Sequence, residues 1–345
     1  MAESITPRQI VRALLQGVPP PRPLRIPIVF SFGAKIENVS RFEFLASATK
    51  ISNALRQIHG RMPTDGVTCY FDPDLELEAL GATLQWKGND QPPTIAWPRH
   101  AEKGKLPQGL RSPEEASKTG RVKVAVEVIG RLKTLLRGEP ILMAGVTGPF
   151  TLAARLAQLS GDRDVRYEDV PEAAFEIAAS MTMQVSSALV EAGANLIFVH
   201  EESLPHFSPE GCEAWVSGLG PAFNIIRFYQ ALPVLHVADA MSFSQNSALI
   251  LQQSWDCVVC APLDAFPHEA AEKTAGSNPI ILGLALPNKC LDSNGPADWR
   301  DSQFVAGATS KSKPALLTTV GDVTADTNLD LMAKIFEDLS CAIGL

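Results

Sequence analysis

Eight short apolar runs, each followed by enough chain for a helix, constrain this sequence more than any other feature. They cover residues 26–30, 66–70, 140–146, 195–199, 232–237, 256–260, 279–284 and 315–319. A strand buried on both faces reads as a continuous apolar run, not as an alternation of apolar and polar residues. Helical patterns such as 173–192 and 221–231 lie between the runs. Strands alternating with helices imply βαβ units around a parallel sheet. Eight such units in 345 residues predict an α/β chain closed into a (β/α)8 TIM barrel, a single domain over 1–345, in preference to an open doubly wound sheet. Residues 6–16 read as an amphipathic helix, with Thr6 as N-cap, Pro7 in the first turn and Gly17 ending it. Residues 82–122, rich in Pro, Gly and Lys, read as an insertion after the second strand, with a hairpin at 82–97.

Bulk properties remove several function classes. Apolar residues make up 46% and charged residues 20%, the balance of a globular chain with a large core. A net charge of −8 argues against nucleic acid as the main partner. No apolar run reaches the ~18 residues of a membrane helix, and the N-terminus lacks a signal-peptide core. Six scattered cysteines suit reduced thiols in a cytoplasm better than a disulfide framework. No Gly-x-Gly-x-x-Gly follows the first run, which lowers the odds of a dinucleotide enzyme.

The fourth run ends abruptly in His200, Glu201 and Glu202. In a parallel barrel the residues after each strand share one rim, the face where ligands bind. The others expected there are Asp72, Asp74 and Glu76 after the second run, 147–151 after the third, and His236 and Asp239 at the fifth. Asp264 follows the sixth, and Thr318, Thr319 and Asp322 the eighth. An acidic rim with two histidines can hold a divalent metal or supply acid–base groups. Each has a plainer reading. Asp72 and Asp74 can cap the next helix, 147–151 can be a strand-to-helix turn, and His236 can be a packed, hydrogen-bonded ring. Cys257 and Cys260, three apart on a strand, face opposite sides and cannot chelate one ion. His59, His100 and His268 carry no signal.

Four motifs in order, Phe71-Asp-Pro-Asp-Leu-Glu-Leu-Glu-Ala-Leu-Gly-Ala82, Gly148-Pro-Phe-Thr-Leu-Ala153, Glu191-Ala-Gly-Ala-Asn-Leu-Ile197 and Leu235-His236, resemble the uroporphyrinogen decarboxylase superfamily. The resemblance implies a (β/α)8 barrel. Its decarboxylases carry an arginine-rich segment after the first strand, where this chain reads Ser31-Phe-Gly-Ala-Lys35. Their tyrosine, serine and histidine fall on Arg155, Glu202 and Thr318 or Thr319, and only the aspartate is kept, as Asp72. The motifs are more similar to the corrinoid-dependent methyltransferases. These bind zinc through His-x-Cys and a later cysteine, which here fall on His236, Ala238 and Thr318 or Thr319.

That branch implies transfer of a methyl group between a small methylated substrate and the cobalt of a corrinoid protein. The corrinoid would come from a partner, since no Asp-x-His-x-x-Gly occurs in the chain. Glu202, His236 and Asp72 are the expected catalytic residues. Zinc is expected on Glu202 (or Glu201) and His236, with Asp239 or Asp322. Lys35 and Arg155 are expected to anchor an anionic group, and Thr147, Phe150 and Thr151 to form the pocket wall. His200, Asp239, Thr318 and Asp322 are the remaining expected substrate contacts. Two rival readings are a superfamily decarboxylase acting on a small or tetrapyrrole acid, and a non-catalytic barrel that binds a corrinoid or tetrapyrrole.

Overall fold

The computed structural model describes residues 5–344 except 63, 89–92, 98–101, 160–163, 266–279, 292–313 and 324. His100 and His268 lie outside the described residues. The strands are β1 (Leu24–Arg25), β2 (Gly66–Tyr70), β3 (Thr83–Gln85), β4 (Thr94–Ala96), β5 (Ile141–Thr147), β6 (Leu196–Glu201), β7 (Leu232–Val237), β8 (Val258–Pro262), β9 (Ile281–Leu286) and β10 (Leu316–Thr319). Eight form one parallel sheet in the order β1-β10-β9-β8-β7-β6-β5-β2. Helices pack outside it, as the alternation of apolar runs and helical patterns predicts, and the sheet is a nearly closed (β/α)8 barrel.

The first run departs from expectation. Residues 26–30 are buried, with Ile26, Ile28 and Phe30 fully enclosed, yet the ladder stops at Arg25. Pro23 and Pro27 have no N–H to give to a neighbour. The seam between β1 and β2 is therefore closed by one backbone bond, from the Asp65 N–H to the Arg25 carbonyl at 3.0 Å, and by side chains. The Thr68 hydroxyl donates to the Pro27 carbonyl at 3.0 Å. Buried Asp65 accepts from the Arg25 N–H at 2.8 Å and from both ends of the Arg22 guanidinium.

Two other boundaries move. β6 runs on through His200 and Glu201, so only Glu202 lies past its end. The helix read at 221–231 is Pro209–Phe228, with Pro221 in its interior. The Ser208 hydroxyl caps it and Pro209 opens it, while Trp215, Leu219, Phe223 and Ile226 bury one face. That burial offsets the one hydrogen bond that Pro221 cannot make. The opening helix, Pro7–Leu15, has the predicted Thr6 cap, completed by Gln9, and Gly17 leaves it at φ +71°. Within the insertion, β3 and β4 pair antiparallel, Thr83 opposite Ala96. Among the described residues one helix, Glu172–Ala192, is long and apolar enough to cross a membrane. Here Ala178, Met181, Val185 and Leu189 lie buried along its inner face.

Gly66 shows how closely β2 and β5 approach. A Cβ there would sit 2.6 Å from the Ile141 carbonyl oxygen and 2.9 Å from Ile26 Cδ1, and the carbonyl, part of the β5 backbone, cannot give way cheaply. Gly66→Ala is expected to destabilise by about 1–3 kcal/mol through overpacking. Gly130→Ala, within helix Gly120–Leu135 and with nothing within 4 Å of the new methyl, should gain up to about 1 kcal/mol. Urea midpoints of the two variants should move in opposite directions.

Candidate active site at the carboxyl ends of the strands

Side chains alternate along β6, and its last two residues divide the work. Glu201 turns outward to the helices and is fully buried. It accepts hydrogen bonds from the Phe150 N–H at 3.1 Å, the Thr151 N–H at 2.7 Å and the Trp215 indole N–H at 3.0 Å. The first two are free donors at the start of helix Pro149–Leu156, where unsatisfied N–H groups and the helix dipole favour an anion. Burial nevertheless pushes the Glu201 carboxyl up, against these donors. Gly148 leaves the space: a Cβ there would meet the Glu201 carboxyl carbon at 2.3 Å. The Thr151 hydroxyl then accepts from the Glu202 N–H at 3.0 Å. Glu202 is thereby held at the lip of a cavity of about 690 Å³, lined among others by Phe150, Thr151, Leu204, Ala238, Asp239 and Met241. Its carboxylate is exposed.

His200 turns the other way, toward the barrel axis, opposite His236 in the β6–β7 register. Their Nδ1 atoms are 2.8 Å apart, and His236 Nε2 is 3.0 Å from the Thr319 carbonyl oxygen. A carbonyl only accepts, so His236 carries its proton on Nε2. Its Nδ1 then accepts from His200 Nδ1–H, and the lone pair left over is on His200 Nε2. Burial holds both imidazoles below their usual range, His236 down to about 4, which keeps them neutral. His236 is stacked on Phe198, centroids 5.2 Å apart, and the His200 ring meets Phe71 edge-on at 5.1 Å.

The other expected site residues are committed to internal bonds. Asp72 is buried in an ion pair with Arg121, which also holds Glu78, so it is not among the groups at the Glu202 cavity. Arg155 binds Asp74 and the Pro73 carbonyl, and Lys35 donates to the Ala325 carbonyl at 2.6 Å. Arg155 is thus ion-paired within the fold, while Lys35 is exposed and gives one N–H to a neutral carbonyl. Thr147 does not line the cavity. Its N–H and hydroxyl bond the buried Glu76 carboxyl at 3.0 and 2.7 Å. Asp322 accepts the Phe30 and Ser31 N–H groups, both at 2.8 Å. Asp239 lines the cavity while capping helix Ala240–Ile250 through Ser242. Thr318 is fully buried, with no partner for its hydroxyl among the described residues. Asp264 lies 3.8 Å from the Lys289 ammonium. Cys257 and Cys260 are buried free thiols.

The residues at the position of the family's zinc do not fit that ion. The two thiolate positions are Ala238 and Thr318 or Thr319. Both ring nitrogens of His236 are engaged. Among the described residues, no group of three or more His, Cys, Asp or Glu side chains could hold a metal.

Sequence reasoning placed an acid at this rim but not the division between Glu201 and Glu202. The strand's alternation, followed one residue past its apolar run, carries that signal. Glu76, two residues beyond Asp74 and bonded to Thr147 at the end of β5, is the more deeply buried of the two carboxyls.

Fold and rim together define a barrel protein with a cavity at the carboxyl ends of β5, β6 and β7. The profile of the uroporphyrinogen decarboxylase (URO-D) family matches residues 6–222, and the chain belongs to that family. A methylated-thiol–coenzyme M methyltransferase of Methanosarcina mazei is 25% identical over 216 residues, 62% of this chain and 56% of that protein. The chain thus spans little more than half the length of this relative. The solved structure of a methyltransferase from Methanosarcina mazei superposes with a TM-score of 0.75 at 16% identity, covering 98% of this chain and 99% of that one. A B12-independent methionine synthase from Shewanella sp. W3-18-1 gives 0.52 at 9% identity over 88% of each chain. The two structures share the barrel.

Two variants test the buried carboxyls. Glu201→Ala leaves three enclosed donors without an acceptor, and should cost about 3–5 kcal/mol in urea unfolding. Burial raises Glu76 from 4.5 to about 7. Its folded form holds a proton that the unfolded form releases above 4.5, so Glu76 loses stabilising power as pH rises from 4.5 to 7. Glu76→Gln keeps an acceptor for the Thr147 N–H and removes the titration. Its stability relative to the parent should improve by up to about 3 kcal/mol between pH 4.5 and 8. A constant difference across that range would contradict the assignment.

Proposed function

We propose that the protein transfers a methyl group between a small methylated substrate and the cobalt of a corrinoid carried by a partner protein. The observation that carries this reading is the 690 Å³ cavity at the catalytic face, with Glu202 at its lip and Ala238 in its wall, in a chain whose curated relative is a methyltransferase. The corrinoid supplies the cobalt that gives or accepts the methyl group, and this chain holds the other partner. Glu202 orients the substrate, since among the described residues no hydrogen bond or ion pair ties its carboxylate down. Phe150 and Leu204 exclude water from the methyl group. His200 offers one acceptor nitrogen to the barrel mouth. Decarboxylation finds less support, because Asp72 is paired with Arg121 and Arg155 is paired with Asp74.

The test is to mix the protein with a reduced corrinoid protein and methylated ethers, amines, sulfides and halides, and to follow the cobalt absorbance. Turnover is expected with one donor class. Glu202→Ala should lower kcat/KM by roughly 100-fold with an unchanged melting temperature, because its side chain bonds nothing in the fold. Carbon dioxide release without cobalamin would replace this reading with a decarboxylase. Tight corrinoid binding without turnover would replace it with a carrier.

A further inference from the structure

A zinc histidine keeps one ring nitrogen for the metal. His236 keeps none: its Nδ1 lies 2.8 Å from His200 Nδ1, and its Nε2 lies 3.0 Å from the Thr319 carbonyl oxygen. The groups around it suit zinc no better. Ala238 and Thr318 or Thr319 occupy the thiolate positions of the family. The Thr319 hydroxyl is itself engaged, donating to the Gly321 carbonyl at 2.8 Å and accepting the Ile28 N–H at 3.0 Å. Cys260 sits beside His236 in the β7–β8 register, but burial pushes its thiol up, away from the thiolate form that binds zinc.

The bonds that disarm His236 as a metal ligand fix His200 in turn. The Thr319 carbonyl only accepts, so it draws the His236 proton to Nε2 and leaves Nδ1 bare. That bare nitrogen takes the His200 Nδ1–H, and the His200 lone pair is left on Nε2. Packing holds both rings in this order. They are stacked on each other with centroids 5.0 Å apart. His236 lies parallel to Phe198, and the Phe71 ring meets His200 edge-on. His236 is fully buried, whereas His200, at the carboxyl end of β6, is partly exposed. A molecule entering the barrel mouth therefore meets His200 before His236.

We propose that His236 is a positioning residue in place of a zinc ligand, and that it presents His200 Nε2 as a fixed acceptor for an N–H, O–H or S–H group of the substrate. The inference rests on the methyl-transfer reading for the word substrate, and on the histidine pair alone for the rest. The ligand class follows from the acceptor. A bare imidazole nitrogen is satisfied by a donor, and a molecule that carries only acceptors leaves it unpaired.

Nitrogen-15 NMR of the imidazoles, on the full-length protein without corrinoid, reads the proton positions directly. His236 should carry its proton on Nε2 and His200 on Nδ1. His236→Gln brings an amide oxygen and an amide N–H to the two ring-nitrogen positions, so it should keep the His200 tautomer. His236→Leu brings neither, and the His200 proton should spread over both nitrogens. A His236 that only filled space would tolerate leucine without moving the His200 signals. Ethanol in excess should move the His200 Nε2 resonance upfield, and its isomer dimethyl ether, which has no donor, should not. Zinc titrated calorimetrically into the protein should find no site through His236 tighter than about 1 μM. Such a site, lost in His236→Leu, would overturn the inference. So would a His236 proton on Nδ1, or a response to ethanol no larger than to the ether. The expected tautomers without methyl transfer from any donor would keep the histidine assignment and remove the enzymatic reading. Methyl transfer with the tautomers reversed would do the opposite.

Discussion

The rim of this barrel is organised around one buried carboxylate. Glu201 ties three elements together at one point: the end of β6, the first turn of helix Pro149–Leu156 and the indole of Trp215 on helix Pro209–Phe228. Taking a carboxylate out of water costs several kcal/mol. Three donors and a helix N-terminus offset that cost, and charge-assisted bonds of this kind are the strong ones. The arrangement needs Gly148, the residue whose missing Cβ makes room for the carboxyl. With Glu201 fixed outward, strand alternation sends His200 toward the axis, and Thr151 holds the backbone of Glu202 at the cavity lip. The positions of both functional candidates follow from where the buried acid is anchored.

The same device recurs around the barrel. Asp322, past the end of β10, grips the two N–H groups that lead into helix Phe32–Glu37. Glu76, on the helix after β2, grips Thr147 at the end of β5. In each case a carboxyl from one βα unit satisfies backbone donors of a unit beside it, where a strand-to-helix turn would leave them orphaned. Much of the acidic rim is therefore structural. Of the expected rim acids, Glu202 and Asp239 are the ones that line the cavity between β5 and β7.

This explains what the sequence disclosed and what it hid. The strands announce themselves as apolar runs because both faces are buried, and three of the four family motifs fall at or just past the carboxyl ends of β2, β5 and β7, where barrels put ligands, while the fourth, at 191–197, leads into the amino end of β6. The run at 26–30 was legible as buried but not as irregular, since the two prolines act through a ladder that only the closed barrel defines. The site residues were legible as a set of acids and imidazoles, but not by role. Asp72 looks available until Arg121, 49 residues later, neutralises it. Arg155 looks like a free cation until Asp74, 81 residues earlier, occupies it. Such pairings depend on which helix lies over which turn, and no local pattern encodes that.

The histidine pair shows how far a backbone carbonyl can reach into site chemistry. In a zinc-dithiolate site the histidine keeps a lone pair for the metal and sends its other nitrogen to a hydrogen-bond partner. Here Thr319 contributes its carbonyl to His236 Nε2, and His200 takes the remaining nitrogen. Where thiolates would stand are a methyl group, Ala238, and the short hydroxyl side chains of Thr318 and Thr319. The changes are mutually consistent: without sulfur ligands to share the metal's charge, an imidazole buried at this depth is best satisfied by a neighbour that donates to it. The proton order that results runs in one direction, from His200 through His236 to Thr319. It leaves a neutral, accepting nitrogen on His200 at the carboxyl end of β6.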